Sequence, residues 1–384
     1  MRSTRQDLVE RVAELLDIPP SYYQKAVDRY GSIGGWFRRR ESTIAVFDPR
    51  VYAQGSFRLG TVIRPLLATE EYDLDIVCEL ILLNKAQLTQ RKLKELVGSE
   101  VYSYAEANGI QAPVVESKRC WRLDYADDVS FHIDILPCLC EDEQTVAVII
   151  GLGVDPRFAH RAIALTCQED AGYEVITSDW PKSNPAGYAA WFEERMAVPA
   201  VEQRRGLVAR GLYESVDEVP AYELKTPLQR SVQLLKRHRD VMFQKHPKVK
   251  PISMILTTLS AEAYGGERDL GSALAGILER MPSYVRGDEP LVPNPVNPAE
   301  DFANKWKEDP RLEENFRLWH TQACRDFEKL AEAGARDAQN ILQERLRVRV
   351  GEEELHRILG SSAAVVSGIP TIAVSTGPKP WRLL

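Results

Sequence analysis

The sequence predicts an α+β protein of two lobes. Residues 1–225 read as a mixed, partly antiparallel sheet with helices, and residues 226–384 as a mainly α-helical lobe with a weakly anchored tail from about residue 361. Three observations carry this. Apolar, β-branched runs of strand length end at Leu136, helical periodicity alone follows Thr226, and the stretch between Asp155 and Glu223 is irregular, with Pro156, Gly172, Pro181, Pro185 and Pro199. A chain of 384 residues is long enough for two lobes.

The elements follow in order. Leu8, Val12, Leu15 and Leu16 recur at helical spacing, and the pattern resumes from Tyr22 to Tyr30 after Pro19 and Pro20. Strand-type runs cover 43–57 and 72–83, the first including Thr43 to Phe47. A long helix is expected over 87–108. Further strands fall at Val114–Val115, Cys120–Tyr125 and Val129–Leu136, the last two joined by a turn at Ala126, Asp127 and Asp128. A short helix is expected at 186–196. Thr226 and Pro227 are a capping hydroxyl and a first-turn proline, so a helix starts there and runs to about Gln244. Helices at 252–263, 270–281 and 311–345 complete the second lobe, with a proline-rich connector at 290–298.

Composition narrows the function. Apolar content of 44% and charged content of 27% are ordinary for a globular protein. No apolar run approaches the roughly 20 residues of a membrane helix, and the N-terminal residues lack a signal-peptide core. Six scattered cysteines give no disulfide framework, so a reducing cytoplasm is expected. A net charge of −7 argues against a long nucleic-acid partner. Between Leu228 and Lys250, however, seven Lys/Arg accompany a single acid, Asp240, which suits a compact polyanion such as a triphosphate.

The chemistry concentrates in Gln54-Gly55-Ser56-Phe57, Tyr72-Asp73-Leu74-Asp75 and the later Asp134. Residues two apart in a strand share a face, so Asp73 and Asp75 point together. Carboxylates that close repel one another unless a cation lies between them. The strand offers no Lys or Arg, whereas Mg²⁺ is held readily by carboxylates and substrate phosphates. Asp134, between Ile133 and Ile135, completes a candidate site for two ions. Gly55 and Ser56 open a turn whose amides and hydroxyl suit phosphate. No Gly-x-x-x-x-Gly-Lys-Ser/Thr loop occurs, which excludes a P-loop enzyme at motif level. Cys120, Cys138, Cys140 and His132 do not match a zinc spacing. Arg38–Arg40 reads as a solvated helix end, Trp180, Trp191 and Phe192 as packing residues, and His160, His238 and His320 as lacking acid partners.

The combination resembles the polymerase β-like nucleotidyltransferases, and more closely the bacterial cGAS/DncV-like enzymes of antiphage signalling (CBASS). The resemblance rests on Gln54 to Pro65, Glu71 to Asp75, His132 to Asp134, Ser183 to Phe192, Val232 to Asp240, Pro251 to Leu259 and Asn294 to Pro298, in that order. It implies that Asp73, Asp75 and Asp134 hold two Mg²⁺ ions, with Mn²⁺ as a substitute. Gln54, Gly55 and Ser56 match the phosphate-binding turn. Lys236 sits where such enzymes reach the triphosphate with a lysine, and Ser253 where a helix-start hydroxyl does likewise. The implied reaction joins NTPs, ATP or GTP foremost, with pyrimidine NTPs as further substrates. It releases pyrophosphate and closes a cyclic di- or trinucleotide of the cGAMP type, sensed by a downstream effector. The resemblance also permits a C-terminal conjugation or regulatory partner, through the tail ending Lys379 to Leu384. Two other readings compete: a template-independent transferase acting on an RNA end or a small-molecule hydroxyl, and a non-catalytic nucleotide-binding scaffold.

Overall fold

A computed structural model describes residues 2–67, 70–125, 131–197 and 225–360. The expected turn at 126–128, most of the irregular stretch before 225 and the tail from 361 lie outside the described residues.

The N-terminal region is two helices, α1 (Arg2–Leu15) and α2 (Pro20–Arg38), because Pro19 and Pro20 interrupt the first and Pro20 opens the second. The sheet strands are β1 (Pro49–Gln54), β2 (Tyr72–Leu80), β3 (Val115–Glu116), β4 (Trp121–Tyr125), β5 (Phe131–Cys140), β6 (Ile163–Leu165) and β7 (Lys182–Ser183). Their order is β1-β2-β5-β4-β3, with β6 pairing the far end of β5 and β7 pairing β6. Among the described residues, only β2 and β5 run parallel. The crossover between them contains α4 (Gln90–Ala107), capped by Thr89, while the short α3 (Gly55–Leu59) follows β1 directly. Thr43 to Phe47 is not a strand. Ala45–Phe47 forms a 3₁₀ turn ending in Asp48 at φ 50°, and β1 begins only at Pro49.

The two sheet faces differ. Leu74, Ile76, Leu123, Ile133 and Ile135 are buried on one face with Leu93, Val97 and Val101 of α4. Gly98 of α4 lies under the Trp121 ring, where a Cβ would come within 2.3 Å of Cζ2, so no larger residue fits without parting helix and sheet. On the other face Tyr52, Val77, Leu136, Cys138, Ile163 and Leu165 make a small apolar patch. Beyond it, towards the start of β2, the same face turns polar.

The remaining helices are α5 (Glu143–Gly151), α6 (Pro156–Ala159), α7 (Pro185–Met196), α8 (Pro227–Met242), α9 (Ser253–Ala263), α10 (Leu270–Arg280), α11 (Arg311–Glu332), α12 (Ala335–Ile341) and α13 (Glu352–Gly360). Thr226 and Gln229 form a full capping box on α8. The single expected helix over 311–345 breaks at Ala333 and Gly334, neither of which has helical backbone. The proline-rich connector contains a small hairpin, Pro293–Asn294 against Asn297–Asp301. One continuous core joins Leu8, Val12 and Leu16 to Phe192, Leu234, Leu256, Ile277 and Trp319, so α1 and α7 pack with the C-terminal helices. Among the described residues, no helix is long and apolar enough to cross a membrane.

Candidate active site

Strand register builds the polar face of the sheet. Gln54, Asp75, Asp134 and Arg122 are consecutive partners across β1, β2, β5 and β4, so their side chains form one row. One step along the strands, Asp73, His132 and Asp124 form a second row. Asp73, Asp75 and Asp134, proposed from sequence as one group, therefore share a face.

The row supplies a cation that β2 itself lacks. Arg122 donates from Nε to Asp134 Oδ1 and from Nη2 to Oδ2, both at 2.8 Å. The reading that β2 carries no Lys or Arg holds, and the register adds a guanidinium from β4 as the partner of Asp134. His132 is held on both sides, by Asp124 Oδ1 at 2.6 Å from Nδ1 and by the Glu71 carboxylate at Nε2.

Gly55 begins α3 at φ +65°, and a Cβ there would lie 2.3 Å from Asp75 Oδ2. Glycine is therefore required twice, for its left-handed backbone and for the space the carboxylate occupies. Gln54 precedes α3 in extended conformation and makes no side-chain cap. The first turn of α3 thus keeps its amides beside Asp75, with Ser56 half-buried next to them.

Opposite the sheet, α8 and α9 close a cavity of about 900 Å³ whose walls include Gly55, Ser56, Asp73, Asp75, Arg122, His132, Lys236 and Ser253. Lys236 is 7% exposed and donates to the Thr61 carbonyl at 3.0 Å. Ser253 is not a cap: Ile252 holds that position, and Ser253 Oγ accepts from Arg239 Nη1 at 3.0 Å. Arg239 also donates to the Pro251 carbonyl at 3.0 Å, and Lys250 pairs with Asp240 at 2.8 Å. Of the seven basic residues read from sequence, Lys236, Arg237 and Arg239 are buried, whereas Lys245 and Lys248 are exposed. Asp134 and Gln54 are not among the residues that line the cavity.

Electrostatics sharpen the polarity. Burial, then repulsion from Asp73 and Asp134, pushes the Asp75 carboxyl up to about 7, with Arg122 and Lys236 pulling the other way. Burial also raises Asp73, partly offset by His132. Lys236 is pushed down to about 7, first by burial and then by Arg239. Crowded carboxyls that resist ionisation are what a divalent cation relieves, and an all-oxygen donor set matches Mg²⁺ chemistry. On that ground the residues fit the ion. Among the described residues, no three His, Cys, Asp or Glu side chains already converge as ligands, since Asp134 faces Arg122.

Elsewhere, Trp180, Trp191 and Phe192 pack in cores, and Cys140 donates to Glu79 at 2.8 Å. Arg39 stacks 3.6 Å from the Trp36 ring centroid and pairs with Glu100, so the basic cluster is only partly solvated. His238 does have an acid partner, Asp326 at 3.0 Å, but both are sealed inside the helical core.

Residues 49–137, the span from β1 into β5, match the family model described as the nucleotidyltransferase domain of cyclic GMP-AMP synthase DncV-like proteins. The chain is 28% identical over 345 residues to a c-di-GMP synthase of Roseivirga ehrenbergii, covering 88% of this chain and 82% of that one. It is 26% identical over 363 residues to the cyclic dinucleotide synthase CdnG of Bradyrhizobium diazoefficiens, covering 89% and 79%. The fold matches that CdnG solved in complex with GTP, with a TM-score of 0.63 at 21% identity over 94% of this chain and 99% of that one. It also matches E. coli MS115-1 CdnC, solved in a CdnC:HORMA complex, with a TM-score of 0.60 at 14% identity over 89% and 96%. The relatives align along most of the chain, and the domain match falls on the strands that carry Asp73, Asp75 and Asp134; residues 49–137 are a DncV-like nucleotidyltransferase domain.

Proposed function

We propose that this protein joins NTPs into a cyclic oligonucleotide second messenger, releasing pyrophosphate, in bacterial antiphage signalling. The observation that best supports this is the opposition, across one cavity, of the carboxylate face of the sheet and the cationic helix α8. A nucleoside triphosphate has a matching shape of charge, with a polyanionic tail and a neutral ribose hydroxyl.

In this reading Asp73, Asp75 and Asp134 hold two Mg²⁺ ions, with Mn²⁺ as a substitute. When bound, they supply a lowered pKa for the attacking hydroxyl and neutralise charge on the departing pyrophosphate. Everything else falls to the chain. The α3 amides, Ser56 and Gln54 seat the phosphates, with Gly55 keeping Cβ out of the way of Asp75. Lys236 regains its proton as phosphate oxygens approach, because a dianion beside it outweighs the desolvation that depresses it. Ser253, oriented by Arg239, gives a further donor to the tail. Attack on the α-phosphorus forms one P–O bond as the bond to the pyrophosphate oxygen breaks, and a second round on the linear product closes the ring. Catalysis of this type is positioning and electrostatics, without a covalent enzyme intermediate.

The lobe of residues 1–225 would then carry the catalytic face, and residues 226–384 would complete the nucleotide pocket. ATP and GTP are the substrates proposed first, in the bacterial cytoplasm. The product would act through a downstream effector, and a HORMA-type regulatory partner, such as CdnC has in its solved complex, is a further proposal. Incubation with ATP, GTP, CTP, UTP and Mg²⁺, followed by phosphatase and mass spectrometry, tests the reading. A phosphatase-resistant cyclic product is expected; extension of an added RNA or small acceptor instead would overturn it.

A further inference from the structure

Arg122 plays no part in the reaction outlined above, yet it holds the third acid more completely than any other contact at the site. Both guanidinium bonds to Asp134 are 2.8 Å and parallel, an arrangement that uses both carboxylate oxygens. Among the described residues in the two acid rows, Arg122 is the only Lys or Arg. It also lines the cavity, whereas Asp134 does not. The pair is partly solvated, with side chains 35% and 25% exposed, so it can open without stranding a charge in the core.

These facts describe a cation that can change partners. A fork that fits carboxylate fits phosphate equally well, and a triphosphate entering the cavity offers it a second anion. We propose that Arg122 is an exchangeable counter-ion. In the nucleotide-free protein it occupies Asp134 and keeps a divalent cation from loading there. When nucleotide enters, the guanidinium transfers to phosphate and frees Asp134. The inference rests on the metal-holding reading of Asp73, Asp75 and Asp134, and deepens it with an order of events.

The test reads ion binding and not turnover. Mn²⁺ binding to the intact protein is followed by loss of the free-ion electron paramagnetic resonance signal. It is measured with and without a GTP analogue whose α–β bridge cannot be cleaved. Wild type should bind Mn²⁺ weakly alone and much more tightly with the analogue. Arg122→Met should bind Mn²⁺ alone about tenfold more tightly than wild type, the change that about 1.4 kcal/mol of lost competition gives. The difference should shrink once the analogue is present. Arg122→Lys keeps the charge but loses the fork, so it should fall between the two, and it serves if the Met variant does not fold. Variants that bind Mn²⁺ alone no more tightly than wild type would overturn the exchange. If Asp73→Asn with Asp75→Asn binds Mn²⁺ as well as wild type does with the analogue, the metal-holding reading itself fails.

Discussion

Gly55→Ala is the substitution whose cost can be worked out most fully. The φ of +65° places the residue in the left-handed region, which costs an alanine about 1–2 kcal/mol. The new Cβ would also stand 2.3 Å from Asp75 Oδ2 and 3.3 Å from its Cγ, so the carboxylate must rotate away. Displacing a buried, crowded group adds about 1–2 kcal/mol more, for a total of about 2–4 kcal/mol. Denaturant unfolding of the single and double variants separates the two terms. In Asp75→Ala the oxygen is gone and the remaining Cβ sits at an ordinary 3.6 Å, so adding Gly55→Ala should cost only the backbone part. The expected coupling is therefore about 1–2 kcal/mol. Gly55→Ala alone should also lose most pyrophosphate release, because the side chain it moves is proposed to hold metal. Additive unfolding energies, or a Gly55→Ala protein as stable and active as wild type, would refute the reasoning.

Two further outcomes follow from the buried charges. Asp75 titrates at about 7 when folded against an ordinary 3.8, so folding takes up a proton and its contribution to stability falls as pH rises from about 4 to about 7. Lys236 titrates at about 7 against an ordinary 10.5, so its burial costs most below pH 7 and is relieved as pH rises towards 10. Metal-free protein should therefore show a trough in stability near neutral pH. In Asp75→Asn the acid-side decline should shrink by roughly 1–4 kcal/mol, and parallel profiles from urea titrations would contradict it. Lys236→Met should raise KM for NTP roughly tenfold to a hundredfold through a lost charge-assisted contact, with kcat changing less; an unchanged KM would remove the lysine from the triphosphate seat.

What the sequence reveals, and what it hides, follows from the range of each interaction. Helix starts such as Thr226–Pro227 and the strand carrying Asp73 and Asp75 are legible because capping, proline geometry and two-residue alternation are local. The acids could be recognised as a group because alternation placed two of them together and an apolar setting marked the third. Arg122 was hidden for the opposite reason. It faces Asp134 only through the antiparallel register of β4 and β5, which no short stretch encodes. The Glu71–His132–Asp124 bridge and the Asp326 partner of His238 are likewise products of tertiary pairing. Thr43 to Phe47 was misread because β-branched residues signal strands on average, whereas here the chain turns before Pro49 to enter the sheet. Ser253 does open α9, as its place after Pro251 suggests, but the Arg239 that its hydroxyl meets comes from another helix and could not be read locally.

The most direct measurement is Mg²⁺-dependent pyrophosphate release from NTPs by wild type and by Asp73→Asn with Asp75→Asn, each checked for a cooperative melt. Wild type should release pyrophosphate only with a divalent cation. The variant should release none while melting no lower than wild type in metal-free buffer, since it loses crowded buried charge. Pyrophosphate release by the folded variant, or by wild type in excess chelator, would contradict the assignment of nucleotidyl transfer to this carboxylate face.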